Sequence, residues 1–363
     1  MMPIRVLNVI DNLDQGGVQR YLLNYLENMD RTKVIFDFVV QTDNVGSLEE
    51  RVLQLGSRIF RAPSFLKDRR GFKNSLCRII TEGRYTIVEA HQNHRCLLPL
   101  DIARRCGVKN RIAHSHSSYP ASSVAKQAYR CLFKIRIRYV ATHYWGCSSL
   151  ANEWLYGKAL LPKTRVIPNA INMGRFSYSE GARLSVREAY GIQGLCLGHV
   201  GAGGEAKNYP FIIDCFRELK QLDRFAKLLL VGCDESVVLD ILDAGDPLLG
   251  DIVATGKVGD PERLMNAMDA FILPSHYEGM PIVVIEAQAN GLRPIVNRDA
   301  ISKEVDLSGI VRFMSLDVGS KEWAQEIVRQ AASGRICELD WVRNSSFNIQ
   351  RAASDLQALY ESM

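Results

Sequence analysis

The sequence predicts an α/β protein made of two parallel-sheet domains, and three observations predict it. Short β-branched runs alternate with helical stretches along nearly the whole chain, the pattern of a sheet covered by helices on both faces. At 363 residues the chain exceeds one domain of ordinary size. Each half also begins with a strand, a glycine-rich turn and a helix, an arrangement that cradles phosphate.

Composition narrows the class. Apolar content of 47% and charged content of 23% describe a globular chain. Nine cysteines are scattered singly with no C-x-x-C, which predicts reduced thiols in a cytoplasm and neither disulfides nor a zinc site. The chain opens directly into a strand with no signal-peptide layout. No apolar run approaches the ~20 residues of a spanning helix. The net charge of +5 is uneven: residues 58–84 hold eight Lys/Arg against Asp68 and Glu82, and residues 124–140 hold five and no acid. That imbalance points the first half at an anionic partner.

In the first half, Ile4–Ile10 reads as a strand, Asp11–Gly17 as a loop, and Val18 onward as a helix. By themselves Gly16 and Gly17 mark a tight turn, and no G-x-G-x-x-G dinucleotide fingerprint is present. Strands are expected at 35–40, 86–91, 111–115 and 144–147, with helices near 72–83, 95–106, 122–142 and 149–157. His91 ends one strand, and His114 and His116 close the next, at carboxyl ends where α/β sheets bind ligands. A polar linker is expected over 175–190. In the second half, strands are expected at 195–200, 227–231, 252–255, 270–273 and 294–297, alternating with helices that include 281–290. The last helix, Asn348–Ser362, carries an apolar face at Ile349, Ala352, Leu356, Leu359 and Tyr360.

The most informative stretch runs from Leu273 to Gly291. A buried strand leads into a turn holding Glu278, Gly279 and Met280, and then into a helix carrying Glu286. The free N–H groups at that helix start suit phosphate. The two carboxylates, eight residues apart, line one wall, which argues against an acid and a base facing across a scissile bond. They suit hydrogen bonds from sugar hydroxyls instead. This stretch resembles the nucleotide-sugar site of the family 4 glycosyltransferases, retaining enzymes of the GT-B fold, and within them the bacterial capsular and exopolysaccharide branch. The family's E-x7-E signature is read here as Glu278 and Glu286. Arg165–Phe176 matches the family's segment at the end of its first domain.

The resemblance implies two Rossmann-like domains facing a central cleft: 1–175 for the acceptor and 190–345 for the nucleotide sugar. The helix of 346–363 returns to the first domain. It implies that Glu278 contacts the donor sugar, Glu286 the ribose, Lys207 and the Gly16-Gly17 backbone the diphosphate, and His116 the sugar near its reacting face, with His91 a candidate for the acceptor side. One departure stands out. The family reads Gly-His-Val-Gly-Arg where this chain reads Gly198-His199-Val200-Gly201-Ala202, so the arginine that joins the lysine on the diphosphate is missing. Arg298 is a candidate replacement.

No metal cluster is evident, and no cofactor is expected beyond a nucleotide-sugar substrate, UDP-linked by family habit. Lys126, Arg130, Lys134 and Arg138 form one helical stripe with Arg136 beside it, and Leu132, Phe133, Ile137 and Val140 supply apolar surface. That composition suits peripheral contact with an anionic membrane at the inner face, and no nucleic-acid motif accompanies it. The implied function is sugar transfer to a polyprenyl-diphosphate-linked saccharide. A GT-B nucleotide-sugar epimerase and a catalytically weak partner subunit remain as alternatives.

Overall fold

A computed structural model describes residues 3–14, 16–116, 124–307, 309–336, 340 and 344–363. The chain divides into two compact units, Met1–Ala170 with Ser346–Met363, and Ile171–Ser345.

The first unit is a seven-stranded parallel sheet: β1 (Ile4–Val9), β2 (Val34–Val40), β3 (Ile59–Arg61), β4 (Ile87–Ala90), β5 (Asn110–Ser115), β6 (His143–Gly146) and β7 (Thr164–Val166), ordered β3-β2-β1-β4-β5-β6-β7. Every residue of β2 is buried, as expected for a strand covered on both faces. Its one acid, Asp37, is held by Arg5 at 2.5 Å, by the Tyr85 hydroxyl at 2.6 Å and by the Arg58 amide at 2.7 Å. The terminal helix Ile349–Glu361 begins with Asn348 accepting the Gln350 amide, a capping contact that side chains of this type supply. It buries Ile349, Ala352, Ala353, Leu356 and Tyr360 in the core beneath the helix Gly17–Asn28, so the end of the chain does return to the first unit.

The second unit is a six-stranded parallel sheet: β8 (Cys196–Val200), β9 (Lys227–Val231), β10 (Ile252–Ala254), β11 (Ala270–Leu273), β12 (Pro294–Asn297) and β13 (Arg312–Met314), ordered β10-β9-β8-β11-β12-β13. Both sheets are Rossmann-like. The 175–190 stretch, expected to be linker, instead holds the helix Glu180–Ala189. Ser179 caps it, and Arg183 and Arg187 hold Asp269 at 2.6 and 3.0 Å. Charge pairing anchors a segment whose composition reads as polar connection. The helix Ser320–Ala332, unassigned from sequence, buries Trp323, whose indole donates to the Ser315 carbonyl at 3.0 Å.

Candidate active site

In the second unit β8 and β11 are neighbours, so the loops leaving their carboxyl ends run side by side. Hydrogen bonds join them. The His276 amide donates to the Ala206 carbonyl at 2.8 Å, Asn208 Nδ2 donates to the Pro274 carbonyl at 3.2 Å, and Lys207 Nζ donates to Glu278 Oε1 at 2.7 Å. Asn208 reaches its place in the left-handed region, φ 57°, which asparagine tolerates better than most residues. The helix Tyr209–Leu222 then begins, and the Tyr209 hydroxyl ties back to the Gly201 carbonyl at 2.7 Å.

The glycines here are set by close approach. A Cβ at Gly201 would lie 3.0 Å from His199 Nε2 and 3.1 Å from Lys207 Cε. Gly204 has φ 144°, a conformation L side chains rarely adopt. Backbone and lysine stem therefore pack without an intervening side chain, while the Lys207 and Glu278 side chains keep 22% and 14% exposure. Met280 is buried beside them and Gly279 is partly exposed. Glu286 lies further on, partly exposed on the helix Ile282–Ala289. Ala202 is exposed in the same loop. Arg298, at the carboxyl end of β12, is 61% exposed beside Asp299 at 3.6 Å.

Sequence reasoning passed over His199. Its Nδ1–H donates to the Ile272 carbonyl at 3.0 Å, which leaves Nε2 a bare acceptor, buried and without a partner among the described residues. Burial first, and then the Lys207 charge, push its pKa down to about 3. The imidazole stays neutral and adds no cation beside the lysine.

In the first unit the ends of β4 and β5 bring together His91, His114 and His116. Asn8 donates its amide to the Val6 and Asp37 carbonyls at 3.2 and 3.4 Å, so its Oδ1 faces His91 Nε2 at 2.9 Å and accepts from it. Burial holds the His91 pKa well below the usual imidazole value. The neutral ring therefore offers a bare Nδ1, 2.8 Å from His116 Nε2, which donates. The proton order is set from Asn8 outward and leaves His116 Nδ1 as an acceptor. His116 is partly exposed, the only one of the three histidines that is.

His114 Nδ1 contacts Glu89 Oε1 at 2.7 Å, and the Tyr360 hydroxyl contacts Glu89 Oε2. Burial raises the Glu89 pKa and pushes that of His114 down to about 3. One ligand atom from each of the three rings falls within 4.8 Å of the others, close enough in spacing for a metal set that the sequence did not reveal. His114 and His116, however, are stacked at 4.2 Å with planes 16° apart. Their in-plane lone pairs run side by side and do not converge on one ion at the ~2.0–2.1 Å of a metal–imidazole bond. The arrangement is a hydrogen-bond chain.

Gly16 and Gly17 open the helix Gly17–Asn28. Gly16 is extended and would meet only the flexible Gln19 side chain, and a Cβ at Gly17 would meet nothing within 4 Å. At the helix start the Gln19 side chain lies against Gly16, and Gly17 stands clear. These glycines and the histidines belong to the first unit, and Lys207, Glu278, Gly279, Met280, Glu286 and Arg298 to the second.

The basic stripe is corrected in part. Lys126 and Arg130 have side chains outside the described residues. Phe133, Ile137 and Val140 are 2%, 0% and 5% exposed and belong to the core. Among its described side chains, the large apolar residues that the helix Val124–Val140 exposes are Leu132, Ile135 and Tyr139. Helical spacing from Val140 inward explains the buried set, which a count of apolar residues does not separate from the exposed one. No helix among the described residues is long and apolar enough to cross a membrane.

Comparison with known proteins agrees with this geometry. Residues 15–175 match the family model for Glycosyltransferase Family 4, and residues 194–332 match that for Glycosyl transferases group 1. The putative glycosyltransferase EpsF of Bacillus subtilis (strain 168) is 32% identical over 345 residues, covering 91% of this chain and 88% of that protein. The UDP-Gal:alpha-D-GlcNAc-diphosphoundecaprenol alpha-1,3-galactosyltransferase of Escherichia coli is 23% identical over 301 residues, covering 78% of this chain and 76% of its own. Among solved structures, Anabaena Alr3699/HepE in complex with UDP and glucose superposes with TM-score 0.80 at 17% identity, covering 99% of this chain and 100% of that one. Two Rossmann-like units, an E-x7-E turn held by a lysine and these matches lead to one assignment: the chain belongs to the family 4 glycosyltransferases.

Proposed function

We propose that the protein transfers a sugar from a UDP-sugar to a saccharide carried on a polyprenyl diphosphate, with retention at the anomeric carbon. The observation that carries the reading is the Lys207–Glu278 pair at the carboxyl ends of β8 and β11. A diphosphate entering beside the pair gives Lys207 a stronger partner, and the Glu278 carboxylate accepts donor-sugar hydroxyls. Lys207 then stabilises charge that grows on the leaving diphosphate, which is where rate is gained.

Glu286 takes the ribose. Gly279 and Met280 offer backbone at the start of the following helix. His116, with its outward Nδ1 acceptor, takes a sugar hydroxyl. Retention follows a front-side course in which a leaving phosphate oxygen receives the acceptor proton, so no enzymic nucleophile is needed. No divalent ion on the diphosphate is called for. The UDP of the Anabaena complex and the diphosphoundecaprenol of the E. coli relative support the choice of donor and acceptor class.

The test is incubation of the full chain with a panel of nucleotide sugars and a synthetic prenyl-diphosphate-linked monosaccharide, with the product's anomeric configuration read by NMR. An α-linked disaccharide from an α-configured donor is expected. A product of inverted configuration sinks the mechanism. Conversion of the free donor with no acceptor present favours an epimerase. Ala202 raises a second reading, a non-catalytic partner subunit, which predicts no turnover with any donor and co-purification with another transferase.

A further inference from the structure

The first unit contains a cavity of about 580 Å³ that the catalytic reading leaves unused. Its lining combines apolar groups, Phe65 and Leu66 with Leu97 and Leu98 of the helix Leu97–Arg105, and four cations, Lys67, Arg69, Arg95 and Arg136. The acid in the wall, Asp101, is already held by Arg104 and Arg105, each at 2.9 Å. Arg95 is fixed by Asp11 at 2.6 Å, with its guanidinium over the Phe65 ring. Among the described residues Lys67, Arg69 and Arg136 have no acidic partner. From these contacts we infer that the cavity holds the diphosphate and the first isoprene units of the acceptor's lipid carrier. This rests on the transferase reading above and says where in the first unit that carrier is gripped.

Two properties of the cavity select this ligand class. Three unneutralised cations around one opening match a group of two to three negative charges better than a single phosphate or a carboxylate. The apolar lining matches something attached to that group. Leu66 is 72% exposed on the cationic rim, a position where a free inorganic anion or a sugar phosphate would leave it wet and where a prenyl chain would cover it. The volume lies within the ~300–1,000 Å³ that holds a drug-sized ligand, so it suits a head group and a short run of isoprenes, and the rest of the chain must leave.

The helix that supplies Arg136 provides the exit. Leu132, Ile135 and Tyr139 are 60%, 58% and 76% exposed, and their spacing places them on one stripe that runs past Arg136. An apolar stripe flanked by Arg136 and Arg138 is the surface an anionic leaflet accepts. Arg136 belongs both to the cavity lining and to this helix, so charge at the pocket and hydrocarbon along the helix meet at one residue.

The experiment is calorimetric titration of the full chain in mild detergent with farnesyl diphosphate, inorganic pyrophosphate and farnesol. Farnesyl diphosphate is expected to bind at least tenfold more tightly than either part alone. The double variant Lys67→Ala/Arg69→Ala and the single variants Arg136→Glu and Leu66→Asp, all at exposed positions, are each expected to lose tenfold or more while binding UDP like the wild type. Pyrophosphate binding as tightly as farnesyl diphosphate overturns the proposal in favour of a bare anion site. Unchanged farnesyl diphosphate affinity in all the variants overturns it too. So does a loss confined to phosphatidylglycerol vesicles, which would make these residues a bilayer contact only. Failure of the transferase reading shows separately, as a wild type that binds no UDP and transfers no sugar.

Discussion

Lys207 Nζ lies 2.7 Å from Glu278 Oε1, joining two loops that are 71 residues apart in the chain. The pair is partly exposed, so its own contribution to stability is small. Its importance is chemical. In the proposed transfer a donor diphosphate draws Lys207 away from Glu278, whose carboxylate then meets the sugar hydroxyls, so that binding of the donor's charged end prepares the recognition of its sugar.

Replacing Lys207 by Ala removes the cation that meets the developing charge. A loss of about 3–4 kcal/mol of transition-state stabilisation is expected, roughly 10²–10³ in kcat, with Lys207→Arg recovering part of it. Glu278→Gln is expected to raise KM for the donor as well. Steady-state kinetics on the preferred donor decides, and a Lys207→Ala enzyme with unaltered kcat removes the lysine from the mechanism.

Ala202 stands exposed where the family carries arginine. Restoring the charge-assisted contact by Ala202→Arg is expected to improve donor affinity by about 2–3 kcal/mol, roughly thirty- to a hundredfold. Arg298→Ala measures whether the neighbouring arginine already fills the role, in which case donor affinity drops in the single variant and returns in the double. Unchanged affinity and turnover in Ala202→Arg would falsify the view that the missing arginine matters.

Transfer is expected to survive excess EDTA if, as proposed, Lys207 and helix N-termini serve the diphosphate in place of a divalent ion. Activity that disappears with the chelator and returns with added magnesium or manganese refutes this.

Acid is expected to destabilise the fold well above the carboxylate range. His114 and His199 titrate near 3 when folded, against 6.5 for a free imidazole. Between those values the unfolded chain binds protons that the folded chain does not, so stability falls as pH drops through the window, by about 1.4 kcal/mol per pH unit for each histidine. Glu89, raised by burial, acts in the opposite sense: its contribution is present below its unfolded value of 4.5 and is lost as pH rises through the folded one. Urea midpoints at pH 7 and pH 5 test the sum, to which His91 and His116, lowered by burial, add in the same sense, and His199→Gln should lessen the difference by one histidine's share. Equal midpoints at the two pH values sink the idea.

Vesicle binding should depend on Leu132, Ile135 and Tyr139 and on low salt, since surface charge attraction is screened within about a Debye length. Flotation with phosphatidylglycerol vesicles of the wild type and of Ile135→Asp/Tyr139→Asp reads this directly. Equal flotation of the two proteins assigns the membrane contact elsewhere.

Much of this was legible in the residues. β9, β11 and β12 have the bounds that their short apolar runs predict, and the turn patterns alone point to Glu278 and Lys207. What escaped were short edge strands such as β3 and β13, which three residues cannot announce by periodicity, and the helix Glu180–Ala189, whose anchoring depends on Asp269. His199 was also missed, because nothing local reveals that Nε2 is sealed without a partner.

Periodicity and turn chemistry are properties of neighbours in the chain, so the sequence alone determined that there are two parallel sheets, where their main strands lie, and which turn carries the carboxylates. Only the tertiary structure decided which side chains meet. Strand order set β8 beside β11 and β4 beside β5, and that adjacency joins Lys207 to Glu278 and His91 to His116. Burial then chose their protonation: desolvation disfavours charge, and no reading along the chain measures how much water the fold removes.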